Sequence, residues 1–320
     1  MRGGAGRMTV LALGAYTLDL YMFGDRLPVA GESVNAAEYA TAHGGKAVNV
    51  AVAAARLGAP ACFVGCLGDD ADRLAALEAL RADGVEVGDC AVAEGVATGR
   101  SFVYVDGRGR QIVMTWPGAA DLLDPAQAAA TAARLTAGSV LVLQGEIPVA
   151  TSCAAAAAVP PGVRVLVNPS PAWAFLGAGG EDLLSRADVV VLNERELSVL
   201  TGGRAADSPE SPEALRPRTR GRAVVVTRGE RGAGVIDDHG TMLVDAPRVD
   251  AVDTTGAGDA FTGTLAAALR AGVSLAAGVR LACRVAAVSA TRRFCAPSYP
   301  SAGELGLAPL HGPPAQEISR

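Results

Sequence analysis

Three hundred and twenty residues, half of them hydrophobic and only 19% charged, exclude a disordered chain and leave room for a sizeable core. A formal net charge of -5 and a pI near 5.3 argue against a general binder of nucleic acid or other polyanions, so any anionic ligand must be held by a local site. Aromatic residues make up just 4% while alanine and glycine carry much of the apolar count, which points to closely packed helices over a sheet and not to a stacking platform for bases.

In chain order, residues 1–7 precede an apolar run too short for a secretory signal, and no stretch of about 18 apolar residues occurs anywhere. The expectation is a cytoplasmic protein with no membrane span, and Met8 is an alternative start because a strand begins there. Residues 8–14 read as a buried strand, 48–57 as a helix ended by Gly58, 61–67 as a second strand and 69–80 as an apolar-periodic helix. The short β-branched runs 140–143, 163–167, 189–192 and 223–227 have the character of parallel strands covered on both faces. Alanine-rich helical segments lie between most of them. This alternation predicts an α/β fold, a doubly wound and mostly parallel sheet with helices on both faces.

Two stretches break the rhythm. Residues 24–39 and 98–116 read as extended pieces with turns, the second alternating through 102–105 before Asp106-Gly107 and 112–114. A hairpin that returns on itself beside a parallel sheet is a candidate β lid. The prolines and charges of 202–222 predict a surface loop, and the tail after Leu310, with Gly312-Pro313-Pro314, is expected to fray. No linker cuts the chain, so 1–310 is expected as one domain with lid segments at about 16–40 and 98–116, and 311–320 as a disordered tail. Six cysteines without a C-x-x-C pair, and three histidines, give no zinc signature. Cys62 and Cys66 read as small buried hydrophobes.

The chemistry concentrates in two segments. Val252-Asp253-Thr254-Thr255-Gly256-Ala257-Gly258-Asp259 leads from an extended piece into a helix running to about Arg270. Gly256, Ala257 and Gly258 let several N–H groups point outward at a helix N-terminus, a nest that stabilises an anion. Asp259 lies in the same first turn, where it can take a proton from an attacking hydroxyl while the nest holds the charge of a transferred phosphoryl group. The second segment, Gly44-Gly45-Lys46-Ala47-Val48-Asn49, opens another helix and carries the chain's single lysine among 27 arginines. Lys46 and Asn49 are three apart, hence on one helix face, where a compact ammonium and an amide can grip a phosphate and a hydroxyl. Ala47 follows the lysine where a Walker P-loop needs Ser or Thr, and no G-x-G-x-x-G follows the first strand, which argues against a nicotinamide oxidoreductase.

Together with 14–19, Gln144-Gly145-Glu146, Asn168-Pro169-Ser170-Pro171, Asn193-Glu194-Arg195-Glu196 and Val226-Thr227-Arg228-Gly229, in that order, these segments make the chain resemble the ribokinase-like, phosphofructokinase-B family of carbohydrate kinases, from Leu13 to about Pro300. The resemblance implies transfer of the γ-phosphoryl group of ATP to a primary hydroxyl of a pentose or ketohexose, ribose first, with fructose-like and nucleoside acceptors as alternatives. A non-catalytic sugar- or nucleotide-binding protein on the same fold is the alternative of another class, and the intact Asp259 and glycine nest argue against it. By the same resemblance Asp259 is the base and Gly256, Ala257 and Gly258 the anion hole. Asp19, Gly45, Lys46, Asn49 and Glu146 contact the sugar. Asn193 and Glu196 organise magnesium and its waters, and Thr227, Arg228, Gly229 and Gly232 form a nucleotide-binding turn.

A potassium ion is implied beside the anion hole, held by Asp253, Thr255, Ser289, Arg292, Phe294 and Ser298, mainly through backbone carbonyls. Phe294 stands where the family commonly has glycine. Because a bulky residue at positive φ is strained, this loop is expected to have relaxed and potassium activation to be weak. Thr17 replaces an amide that touches the sugar in ribose-specific members, and Gly118-Ala119-Ala120 replaces Gly-Ala-Asn; both changes weaken the case for ribose itself, which stays the first expectation. Exposed lid edges permit a homodimer through the lid.

Overall fold

The computed structural model describes residues 8–108, 110–203, 213, 215–216, 218–219 and 222–311. Most of the expected 202–222 loop and all but His311 of the expected tail lie outside the described residues. The chain opens with strand β1 (Val10–Leu13), then the antiparallel pair β2 (Thr17–Phe23) and β3 (Glu38–Gly44), then helix α1 (Lys46–Arg56). Strands β4 (Ala61–Val64) and β5 (Cys66–Gly68), helix α2 (Ala71–Ala82), and the short strands β6 (Val85–Glu86) and β7 (Ala91–Ala93) follow. A hairpin of β8 (Arg100–Val105) and β9 (Gln111–Trp116) precedes α3 (Pro125–Ala132), β10 (Val140–Leu143), α4 (Val149–Ala158) and β11 (Arg164–Val167). After α5 (Ala178–Arg186), β12 (Val189–Asn193) and α6 (Glu194–Leu200) come β13 (Ala223–Thr227), β14 (Ala233–Asp237) and β15 (Gly240–Val244). Helices α7 (Ala257–Arg270) and α8 (Leu275–Ala290) close the fold.

Nine strands form the main sheet in the order β15-β14-β13-β12-β11-β10-β1-β4-β6, parallel from β6 to β13 and antiparallel at the last two pairings. Strand order reverses between β1 and β10, the place where open α/β sheets bind ligands outside the carboxyl ends of their strands. Alternation along each strand divides the core into two layers. Val10, Ala12, Val140 and Val191 pack with α1, α2, α7 and α8, whereas Leu11, Leu13, Leu141 and Val190 pack with α3 to α6. The expected doubly wound sheet with helices on both faces is therefore the observed one.

Small residues set the spacing of the first layer. A Cβ on Gly263 of α7 would overlap the Val50 carbonyl of α1 and lie 2.8 Å from the Ala53 Cβ, so the two helices approach as closely as their backbones allow. The alanine- and glycine-heavy composition is what permits this.

A second sheet, β3-β2-β8-β9, stands apart from the first. It contains both stretches that broke the strand–helix rhythm, with one correction: most of 24–39 is the connection between β2 and β3, not itself extended sheet. The expected strand 61–67 is also two strands. Gly65 breaks it where a Cβ would lie 2.6 Å from the Gly14 carbonyl, and β5 turns away to pair with β7. Helix α1 starts two residues before the expected boundary, because Gly45 at φ +94 releases the chain directly from β3 into the helix. No described helix is long and apolar enough to cross a membrane.

Candidate active site

The α7 N-terminus stands beyond the carboxyl ends of the central strands. Its cap, Gly256, has φ +75, and a Cβ there would lie 2.7 Å from the Tyr299 hydroxyl and 2.9 Å from the Cys295 Cβ, so the position admits only glycine. The buried Tyr299 hydroxyl donates to the Gly256 carbonyl at 3.0 Å, and the Ala257 N–H closes the turn onto the Thr254 carbonyl at 3.2 Å. A Cβ on Gly258 would meet nothing within 4 Å. That glycine opens onto a cleft whose walls also include Lys46, Asn193, Glu196, Thr227 and Asp259. Bare backbone facing a cleft at a helix N-terminus fits a phosphate group.

Asp259 is buried, and the Asn49 amide of α1 donates to its Oδ2 at 2.8 Å. The other end of that amide, Asn49 Oδ1, is buried without a hydrogen-bond partner. An orphaned acceptor beside a carboxylate suits a ligand hydroxyl. One helical turn earlier, the Lys46 N–H donates to Glu146 Oε2 at 2.7 Å, and the Lys46 ammonium lies 3.9 Å from Glu146 Oε1. Burial pulls the Lys46 pKa down, but the Asp259, Glu146 and Glu196 carboxylates outweigh it and hold the ammonium well above its ordinary value. Burial likewise keeps the Glu146 carboxyl above the usual range against the pull of Lys46.

Asp19 sits on β2 with its carboxylate behind Gly44, where any side chain would collide with it. Thr17 Oγ1 donates to Asp19 Oδ1 at 2.8 Å, so the threonine noted as a departure orients this carboxylate. Burial pushes the Asp19 pKa up to about 7; hydrogen bonds from Thr17 and Ser101 lower it in part, and the Glu146 and Asp259 charges raise it. Gly45, at φ +94, lets the α1 N-terminus sit where a side chain would overlap the Ala15 carbonyl.

On the far side of the cleft, Asn193 and Glu196 form a capping box at the start of α6. Asn193 Oδ1 accepts from the Glu196 N–H at 2.8 Å, and Glu196 Oε2 accepts from the Asn193 N–H at 2.9 Å. Both side chains thus serve the helix, while Glu196 keeps lone pairs for the cleft it lines. One carboxylate beside a turn that fits a phosphate also fits a magnesium ion that keeps most of its waters. Among the described residues no cluster of three or more His, Cys, Asp or Glu side chains can hold a metal by itself. Thr227 lines the same cleft, whereas Arg228, Gly229 and Gly232 stand outside its walls in the turn after β13; the Arg228 N–H donates to the Gly232 carbonyl at 2.7 Å. Sequence reasoning gave no site role to Asn168, Ser170 or Thr262, which also line the cleft. The signal was available for Asn168, the first residue past the carboxyl end of a parallel strand.

Behind the α7 turn, Asp253 Oδ1 accepts from the Thr255 N–H and Oδ2 from the Phe294 N–H, both at 2.9 Å. Ser289 and Ser298 share a hydroxyl contact of 2.7 Å, and the Arg292 guanidinium reaches the Ser298 carbonyl at 3.4 Å. The oxygens here, one carboxylate with lone pairs to spare among carbonyls and hydroxyls, are a donor chemistry that fits potassium, with the Ser298 carbonyl shared with the Arg292 guanidinium. The expected relaxation of the loop is corrected. Phe294 has φ +71, the one non-glycine residue at positive φ among the described residues, so the loop keeps its left-handed turn at a cost of about 1–3 kcal/mol.

The sequence pattern described as pfkB family carbohydrate kinase matches residues 8–302. The chain belongs to this family. As a pfkB-family carbohydrate kinase it is a phosphotransferase. It is similar to a ribokinase of Schizosaccharomyces pombe, 33% identical over 309 residues that cover 92% of this chain and 95% of that protein. Among solved structures, ribokinase from Thermotoga maritima matches with a TM-score of 0.82 at 27% identity, covering 94% of this chain and 98% of that one. Arabidopsis thaliana ribokinase complexed with ribose and ATP matches with a TM-score of 0.80 at 28% identity, covering 93% and 97%.

The proton on Asp19 gives a test of this electrostatic picture. The folded carboxyl holds its proton to about pH 7, whereas an unfolded chain releases it near 3.8, so ionising Asp19 costs stability as pH rises between those values. In a carbon-13 carboxyl NMR titration, Asp19 should titrate near neutrality, and Thr17→Val, which removes a hydrogen bond to the charged form, should move it higher. An Asp19 signal that titrates with the exposed carboxylates would refute the assignment.

Proposed function

We propose that this carbohydrate kinase transfers the γ-phosphoryl group of ATP to a primary hydroxyl of a pentose, with ribose as the first substrate to try. The observation that carries the reading is Asp259 in the first turn of α7, hydrogen-bonded to Asn49 and bordered by the open backbone of Gly258 in a single cleft. The relatives named as ribokinases support ribose, while Thr17 and Ala120 keep ketohexoses and nucleosides as alternatives.

In this reading Asp19, Asn49, Lys46 and Glu146 receive the sugar hydroxyls. Once ionised, above its raised pKa of about 7, Asp19 accepts from two neighbouring hydroxyls at once. Asp259 takes the proton of the attacking hydroxyl, and the N–H groups of Gly256 and Gly258 face the negative charge that grows on the transferred group, while the Ala257 N–H is held by the Thr254 carbonyl. Lys46, the sole lysine, adds its positive charge at the junction of the two substrates. Thr227, Arg228, Gly229 and Gly232 shape the nucleotide side. Magnesium, when bound, neutralises phosphate charge, and Glu196 with Asn193 would hold it through water. A potassium ion at Asp253 would act on peptide orientation in the turn without touching phosphate. Residues 1–310 work as one domain in this proposal, in the cytoplasm, where ATP is supplied.

Asp259→Asn keeps the shape of the site and removes the base. Turnover, followed as ADP release with ATP and magnesium over ribose, fructose, tagatose and nucleosides, should fall on the order of 10²–10⁴-fold. Sugar and ATP binding should persist in calorimetry. Unchanged turnover would remove Asp259 from the mechanism.

Because the loop retains its left-handed turn at Phe294, potassium should activate after all. Turnover at saturating substrates, titrated with potassium against a large organic cation at constant ionic strength, should rise saturably. A flat response would show that the oxygen set does not bind the ion.

Strand β9 is an open sheet edge exposed on both faces, with Ile112, Val113, Met114 and Trp116 between 46% and 63% exposed. An apolar edge of this kind invites pairing with a second copy. Light scattering should give a dimer mass, and Val113→Lys, which puts a charge on this edge strand, should give the monomer. A monomeric wild type would end this proposal.

A further inference from the structure

The strained Phe294 has a use outside the backbone turn. Its ring meets Tyr21 of β2 edge-on at 5.1 Å between centroids and Phe23 at 6.2 Å, while Tyr21 and Phe23 lie nearly parallel at 6.0 Å. The adjacent Arg293 places its guanidinium 4.0 Å above the Phe23 ring and pairs with Glu38 of β3 at 3.2 Å. Phe294 thereby belongs to the small core of the second sheet, packed with Tyr21, Ala42 and Val103. Glycine would be at ease at this φ and would make none of these contacts.

The other side of the same residue faces the reaction. Its N–H donates to Asp253, whose second oxygen holds the Thr255 N–H one residue before Gly256. Thr255 Oγ1 in turn reaches Gln111 of β9 at 3.1 Å. Cys295, next along the chain, touches the Tyr21 hydroxyl at 3.8 Å and packs beneath Gly256. The second sheet and the anion turn are thus joined through residues 293–295 and 253–255.

We propose that Phe294 is a positioning residue that couples the second sheet to the anion turn. Its ring is gripped by β2, which holds the backbone at positive φ; that conformation aims its N–H at Asp253, and Asp253 sets the peptides entering Gly256–Gly258. Strain at an ordinary glycine position is retained because the aromatic contact stabilises it. The part concerning turnover rests on the kinase reading; the mechanical part does not.

Two variants separate coupling from simple packing. Phe294→Gly removes the ring and relieves the backbone, so its melting temperature should stay within a few degrees of wild type. Amide hydrogen exchange, which needs no substrate, should speed up about three- to tenfold both in 17–23 and in 254–258, the range expected for losing an aromatic pair. Turnover should fall by a similar factor, with sugar KM rising, and Phe294→Tyr should restore both. Phe23→Ala should reproduce these effects and add little to Phe294→Gly, since both cut the same link. Exchange that rises only at 293–295, or additive losses in the double variant, would overturn the coupling. If the wild-type protein phosphorylates no sugar while the exchange pattern holds, the kinase reading fails and the coupling stands.

Discussion

Everything in the cleft depends on how closely α1 can approach α7. The hydrogen bond from Asn49 to Asp259 spans 210 residues of sequence and joins the first turns of these two helices. It forms only because Gly263 and Ala53 let the helix backbones come together on the same face of the sheet. Side-chain bulk at that crossing would spread the two N-termini, and with them Lys46 and Asp259, which line the same cleft. A composition poor in aromatics and rich in alanine and glycine is therefore a requirement of the site as much as a style of packing.

The charges gathered there are unbalanced by design of position. Asp19, Glu146 and Asp259 share the region with one ammonium, and burial makes Asp19 and Glu146 more costly to ionise. Thr17 and Ser101 offset part of this at Asp19, and the Lys46 N–H does so at Glu146. Ligand hydroxyls would complete what these short donors leave unfinished, as the orphaned oxygen of Asn49 indicates. Unmet hydrogen-bonding capacity of this kind suits a polyol without a large apolar contact.

The sheet was legible because its strands are buried on both faces and its β-branched runs stand out between alanine-rich helices. Strands 140–143 and 223–227 fall on their observed limits. The glycine turn that opens α7 was legible because glycines at a helix start have few other uses. Less accessible was whatever depends on partners distant in sequence. Nothing local marks Gly65 as the point where a continuous apolar run divides, since the cause is the carbonyl of Gly14, just past the end of β1. The Asn193-x-x-Glu196 spacing is a readable helix cap, but nothing in the sequence shows that both residues also face the cleft, or that Thr17 spends its hydroxyl on Asp19. The clearest miss is Phe294. Read locally, a phenylalanine avoids positive φ; its ring partners on β2 lie more than 270 residues away by number.

A last consequence attaches to Lys46. Amine-directed reagents find a single side chain in the whole sequence, and it is half-buried, protonated and paired with a carboxylate. Apart from the α-amino group, dyes, cross-linkers and lysine-specific proteases will therefore find little on the folded surface, where arginine carries the positive charge. Whatever slow acylation does occur at that side chain becomes a direct gauge of whether the cleft is open or filled, with no background from the rest of the molecule's side chains.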